Sequence, residues 1–264
     1  MVKKHKSKRD SISSSNDVKD VKLGFFDKFK ENFKWLKWLD PFTYVDLYVM
    51  PIVNPKRNGL VENFVYLFFA FVFAWFLYNY VFAFLLGTSS PLVIVYSGSM
   101  EPSLYRGDIV VLSAASEVSV KSVDVNFELS GVGFFDFAKP IYGFESGRYK
   151  SVGFRMNGQD FFYDRSGPVV VYYSKSYGED IIHRAVFKFR APDGDFVLTY
   201  GDNNQAADQE CNNAMILVDN CISPSLVKVG SLKGKYLFHL PFLGYLKLII
   251  FDEIPRLVFG KGIR

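Results

Sequence analysis

Residues 64–112 read FVYLFFAFVFAWFLYNYVFAFLLGTSSPLVIVYSGSMEPSLYRGDIVVL and change character part-way along. Residues 64–86 carry no charge. At ~1.5 Å per helical residue, that run is long enough for a ~30 Å hydrocarbon core. The buried helix of a soluble domain rarely runs so far without a charged side chain. The run therefore predicts a transmembrane helix, bounded at 61–87. After Pro91 the pattern turns β-rich, with IVVL (109–112) a β-branched run, the signature of a strand. Together they predict the fold class: a mainly β domain anchored by an N-terminal transmembrane helix. Lys56 and Arg57 precede the run, and no charge follows it until Glu101. Basic flanks stay inside, so the expectation is a single-pass protein of the cell membrane. Its N-terminus is cytoplasmic and its bulk lies on the extracytoplasmic face.

Further along, VVVYY (169–173), FVLTY (196–200) and SLVKVGSLKGKYLF (225–238) continue the β pattern between Gly, Pro and Asn. Residues 88–236 are read as the β domain. Within it, 113–180 lacks any long helical pattern and is expected to be an inserted β-rich subdomain. The 237–264 stretch is apolar but broken by Pro241, Gly244, Lys247, Asp252 and Glu253, which favours a segment lying at the membrane interface over a second span. At the other end, residues 1–22 are rich in Lys, Ser and Asp and read as a disordered tail. No apolar core follows directly, so the tail is not a secretory signal peptide. GFFDKFKENFKWLKWL (24–39) sets Phe25, Phe26, Phe29, Phe33, Trp35 and Leu36 at helical spacing among lysines, the pattern of a basic amphipathic helix on a membrane surface, with packing on another protein element as the alternative. Residues 1–60 are thus a basic cytosolic region containing that helix.

Hydrophobic residues make up 49% and aromatic residues 18% of the 264, and the net charge is only +4. That composition is rich for a soluble protein and ordinary for an anchored one. Nucleic acid is excluded as a partner, because no zinc-finger spacing, arginine block or RNA-binding signature is present. The two cysteines, Cys211 and Cys221, are close enough in sequence for a disulfide, which fits an oxidising compartment; two free thiols are the alternative. None of the three histidines has zinc-ligand spacing to that pair, so no metal is expected.

A serine beside a membrane span invites nucleophilic chemistry, which needs a base and a group to orient it. The sequence SGSMEP offers Ser99. Of the histidines, His5 lies in the tail and His239 in the apolar C-terminal segment. Only His183, in DIIHRAV, falls in a strand-like run of the outer domain. Its ordinary pKa near ~6.5 suits proton transfer at neutral pH. The turn TYGDNNQAADQ supplies two carboxylates, Asp202 and Asp208. Read alone, GDNN is simply a turn. Either aspartate can fix the tautomer of His183.

SGSMEPSLYRGDIVVL, DIIHRAV and TYGDNNQAAD, in that order, resemble three conserved blocks of the type I signal peptidases, peptidase family S26. The resemblance implies that Ser99, immediately before Met100, is the nucleophile. The base of bacterial members is lysine, whereas archaeal and endoplasmic-reticulum members have histidine; His183 followed by Arg184 is similar to the latter. Both aspartates are implicated in that branch, with Asp208 preferred as the partner of His183 and Asp202 supporting. Ser97 matches the position whose hydroxyl forms the oxyanion hole with the backbone N–H of Ser99. Lys175 and Lys188 do not occupy the position of a lysine base. No Gly-x-Ser-x-Gly elbow is present, which argues against an α/β-hydrolase.

The family further implies a membrane-bound endopeptidase that removes signal peptides from secretory preproteins after small residues, without a metal or cofactor. Its expected partners are preproteins, membrane lipid and the Sec translocon. Val93, Val95, Met100, Leu104 and Ile182 are candidates for the substrate pocket, or equally for plain core. Two other readings stay open: a non-catalytic membrane-anchored accessory protein, and a protease dedicated to one substrate. The clear match covers about 35 residues and leaves 1–55 and most of 113–180 outside it.

Overall fold

The computed structural model describes Trp38, residues 40–211, residues 221–250 and Ile254. The expected tail (1–22) and nearly all of the amphipathic helix at 24–39 lie outside the described residues, as does most of the C-terminal segment beyond 250. The chain divides into two compact units, Met1–Phe73 and Ala74–Arg264.

In the first unit, α1 (Pro41–Val53) opens with proline at its first position. The Asp40 carboxylate caps it by accepting from Phe42 N at 3.1 Å. Asn54 ends it and forms a reciprocal pair with Asn58: Asn58 N donates to Asn54 Oδ1 at 2.7 Å, and Asn54 Nδ2 donates to Asn58 O at 2.8 Å. Asn58 Oδ1 then accepts from Leu60 N at 3.0 Å, starting α2 (Gly59–Leu86). Among the described residues, α2 is the one helix long and apolar enough to cross a membrane. Its Gly59–Phe76 portion buries only Val65, as a helix built for an apolar solvent would. It stops at Gly87, whose φ of 65° is left-handed and suits glycine. Within the second unit, Leu86 O accepts from Ala114 N at 2.8 Å, and the Thr88 hydroxyl donates to Lys233 O.

The second unit is built on an eight-stranded sheet. Its strands are β1 (Leu92–Ile94), β2 (Ile109–Ser113), β3 (Ser122–Asp124), β7 (Val169–Ser174), β8 (Glu179–Ala191), β9 (Gly194–Tyr200), β10 (Val227–Lys228) and β11 (Gly234–Leu240). The order across the sheet is β1-β2-β11-β7-β8-β9-β10, with β3 parallel to β8. A second sheet of three antiparallel strands comprises β4 (Lys139–Glu145), β5 (Arg148–Met156) and β6 (Gln159–Phe162). A short helix, α3 (Phe134–Phe137), precedes it, and α4 (Tyr245–Leu248) follows β11.

Strand alternation divides the core. Val170 and Tyr172 of β7 join Ala185 and Val197 in one cluster, while Val169 and Val171 join Val95, Met100, Leu104, Val110 and Leu112 in another. The third cluster is aromatic: Phe134 and Phe154 meet Phe187, Phe189 and Leu198 and glue the small sheet to β8 and β9. Phe154 stands edge-on to Phe187 with centroids 4.9 Å apart. A bulge between Ala185 and Phe187 re-aims β8 as it passes from one cluster to the next.

Two expected boundaries are corrected. The stretch 113–180 is not one insert, because its VVVYY run is β7, whose two faces serve two core clusters of the main sheet; the added sheet is Lys139–Phe162. Residues 237–240 do not begin a separate C-terminal segment, because they complete β11, which pairs with β2 through Leu240↔Ile109. That stretch lies on an interior strand, yet it leaves Leu237, Phe238 and Leu240 exposed.

Candidate active site

Ser99 sits in the loop between β1 and β2. The loop's neck is closed by Val95 N donating to Asp108 O at 3.0 Å and Gly107 N donating to Val95 O at 2.9 Å. Met100 and Leu104 plug its underside into the core, and Leu104 N donates to Met100 O at 3.0 Å. This corrects the expectation that Val95, Met100 and Leu104 line a substrate pocket. All three are buried and present no surface to a substrate, as apolar residues flanking a strand usually do. Val93 and Ile182 pack on the same cluster but keep partial exposure, and they remain available as lining. Ser99 itself is half-buried, and Ser97 is exposed with its Oγ 3.2 Å from Ser99 Oγ.

His183 comes from β8 and Asp208 from the turn after β9, and both are only 3% exposed. Ser99 Oγ lies 2.9 Å from His183 Nε2. On the far side, His183 Nδ1 is 2.8 Å and 2.7 Å from the two oxygens of Asp208. A carboxylate can only accept, so Nδ1 carries the proton and Nε2 is left as the acceptor of the Ser99 hydroxyl. The carboxylate is itself held in place. Asp208 Oδ2 accepts from Tyr172 OH at 2.8 Å and from Thr199 Oγ1 at 2.6 Å. Burial, and then the Asp208 charge, pushes the Tyr172 hydroxyl well above its ordinary value, so it stays a donor. Gln209 supports Thr199 from both ends: its Nε2 donates to Thr199 Oγ1 at 3.1 Å, and its Oε1 accepts from Thr199 N at 3.0 Å. Sequence reading did not single out Tyr172, Thr199 or Gln209. Their one signal is a hydroxyl at each of the strand positions 172 and 199 and an amide beside Asp208.

The second aspartate has another partner. Asp202 receives Arg184 as a two-pronged pair, Nε to Oδ1 at 2.8 Å and Nη2 to Oδ2 at 2.7 Å. Ser103 Oγ also donates to Asp202 Oδ2, at 2.6 Å. Burial alone would raise this carboxyl, but the Arg184 fork and the Ser103 hydroxyl outweigh it and hold Asp202 below the usual carboxylate value. Arg184 Nη1 reaches on to Gly167 O at 2.7 Å. His183 and Arg184 are neighbours on one strand and so face opposite ways. Each takes one of the two aspartates of the turn.

Gly201 and Asn203, on either side of Asp202, complete the site. A Cβ at Gly201 would sit 2.9 Å from His183 Nε2, so only glycine lets the chain pass the imidazole. Asn203 N donates to Ser99 O at 2.8 Å, and its Nδ2 donates to Gly98 O at 3.1 Å. The GDNN turn is therefore also a clamp on the backbone beside Ser99. Farther out, Cys211 and Cys221 form a disulfide.

An imidazole placed this way can take the Ser99 proton at Nε2 while its Nδ1–H stays on a buried carboxylate. That is the arrangement of nucleophilic acyl transfer.

No family model matches the chain. Several curated fungal proteins do, each named signal peptidase complex catalytic subunit SEC11. The protein of Colletotrichum graminicola is 28% identical over 170 residues, covering 64% of this chain and 67% of its own length. That of Verticillium alfalfae is 27% identical over 164 residues, covering 62% and 66%. That of Clavispora lusitaniae is 26% identical over 166 residues, covering 62% and 68%. The chain thus spans about two thirds of the length of these relatives. The chain is thus similar to catalytic subunits of the signal peptidase complex, in keeping with its three motif blocks in the order of the type I signal peptidases.

Proposed function

We propose that this protein is a membrane-anchored serine endopeptidase that removes signal peptides from exported preproteins, cutting after small residues. Ser99 Oγ attacks the scissile carbonyl as His183 Nε2 takes its proton. The imidazolium formed is stabilised by Asp208. The tetrahedral intermediate then collapses as His183 returns the proton to the leaving amine, and water repeats the cycle on the acyl-enzyme. Ser97 Oγ and the Ser99 N–H stabilise the oxyanion, each such donor being worth about 3–4 kcal/mol. Asp202 acts differently: its pair with Arg184 braces the turn that carries Asp208. The helix Gly59–Leu86 holds the enzyme at the bilayer, where a signal peptide's cleavage site emerges from the apolar phase. The N-terminus is then cytoplasmic and the β domain extracytoplasmic, in reach of preproteins, lipid and the Sec translocon.

The single observation that carries this reading is the relay Ser99 Oγ–His183 Nε2 at 2.9 Å with His183 Nδ1–Asp208 at 2.7 Å. The test is cleavage of a preprotein in detergent by purified variants. Ser99→Ala and His183→Ala abolish turnover, and Asp208→Asn lowers kcat by about 10⁴-fold through loss of the correct tautomer. Full activity in His183→Ala would overturn the proposed base.

A further inference from the structure

The three-stranded sheet β4–β6 lies in a stretch outside the motif blocks, yet it reaches the turn that clamps the nucleophile loop. Ser151 N, on β5, donates to Gln205 O at 2.8 Å, joining the sheet to the turn that carries both aspartates. Arg165, just after β6, donates to Ser151 O at 2.9 Å and lies over the Tyr200 ring at 3.9 Å. At the head of β5, Arg148 Nη2 donates to Asn203 Oδ1 at 3.2 Å. Asn203 in turn holds Gly98 O through Nδ2 and Ser99 O through its backbone N–H, at 3.1 Å and 2.8 Å.

An asparagine amide has one accepting and one donating end. A guanidinium at Oδ1 is satisfied only by the oxygen, so Arg148 fixes which end of Asn203 faces Gly98. The bond from Nδ2 then sets the direction of the Gly98 carbonyl. The 98–99 peptide is planar, so its C=O and N–H point opposite ways. Fixing the carbonyl towards Asn203 therefore aims the Ser99 N–H to the other side of the peptide.

We infer that Arg148 of the added sheet is a positioning residue for the active site: through Asn203 it locks the Gly98–Ser99 peptide so that the Ser99 N–H is presented to the oxyanion. The inference rests on the proposed serine mechanism. It gives the added sheet a task in transition-state stabilisation, with substrate binding left to other surfaces.

A donor aimed at charge that develops only in the transition state affects kcat more than KM. The test is steady-state cleavage of a preprotein by the full chain in detergent. Arg148→Ala should lower kcat about tenfold with KM within about twofold, and Arg148→Lys, which keeps a donor, should recover part of the loss. Asn203→Ala should cost about a hundredfold in kcat, and adding Arg148→Ala to it should cost nothing further. Asn203→Asp keeps the shape and pairs with Arg148 but cannot donate to Gly98 O; it should fold normally and lose kcat as Asn203→Ala does. Arg155→Ala, which breaks an exposed ion pair with Asp160 on the same sheet, is the control expected to leave kcat unchanged. Equal kcat in Arg148→Ala and Arg155→Ala, or additive losses in the double variant, would overturn the positioning role. Cleavage by Ser99→Ala would instead overturn the serine mechanism itself. An inactive Ser99→Ala beside a fully active Arg148→Ala would remove this inference alone.

Discussion

Gly201→Ala isolates the placement of the imidazole from every other property of the site. The new Cβ would lie 2.9 Å from His183 Nε2 and 2.6 Å from Asn204 Nδ2, where ordinary contact begins at 3.4 Å. Asn204 is half-buried and can swing aside. His183 has less freedom, being buried and held at Nδ1 by both oxygens of Asp208. Relief of the clash therefore moves Nε2 by about 0.5 Å, the difference between 3.4 and 2.9 Å. Directed along the line to Ser99, that shift stretches the 2.9 Å contact to about 3.4 Å, outside the ~3.2 Å reach of effective proton transfer. A misplacement of this size costs about 10- to 100-fold in rate, or about 1.4–2.7 kcal/mol. The assay is kcat for preprotein cleavage, with the thermal midpoint measured on the same preparation. Gly230→Ala is the matched control, since a Cβ there meets nothing within 4 Å. A kcat for Gly201→Ala within twofold of the Gly230→Ala value would refute the argument that the imidazole is pinned.

Asp202 predicts a pH-dependent stability. Although burial opposes it, the Arg184 fork and the Ser103 hydroxyl hold its folded pKa below the ordinary ~3.9. Its contribution is thus complete above ~3.9 and disappears as pH falls through the lower folded value. Asp202→Asn should lower the thermal midpoint at pH 7, and the gap to the parent should close towards pH 3; a constant gap would count against the ion pair as its cause. The Cys211–Cys221 link closes a loop with a sequence separation of 10 and should contribute about 2–3 kcal/mol. Reductant should lower the midpoint by several degrees, and an unchanged midpoint would show that the bridge adds nothing.

The helix and the strands were legible because their signals are local. An uncharged run at 64–86 has few structural outlets, and IVVL or FVLTY between turn residues has only slightly more. The Ser99–His183 contact was legible because histidine is scarce in this chain, although His239 lies in β11 of the same sheet and is set apart by its bond to Tyr236 rather than by its segment. The choice between Asp202 and Asp208 was not decidable from spacing alone. It depends on which face of β8 each carboxylate meets, and adjacent strand residues face opposite ways. The pocket residues were harder still, since Val95, Met100 and Leu104 have the composition of core and of apolar lining alike. Long-range contacts such as Arg148–Asn203 join residues 55 apart, and nothing in a single sequence marks them.

The junction at Gly87 leaves little slack between the apolar helix and the sheet. Leu86 is hydrogen-bonded to Ala114 just after β2, and Thr88 to Lys233 just before β11, so the last turn of the helix is tied to both strands. With Gly59–Leu86 in the membrane as proposed, such a mounting would act as a depth gauge. The height at which a polypeptide meets Ser99 would then be set by these hydrogen bonds instead of by the reach of a tether. In this protein the length of a signal peptide would be read off as distance. A flexible insertion at the junction would blur where the cut falls before it reduced how often the cut is made.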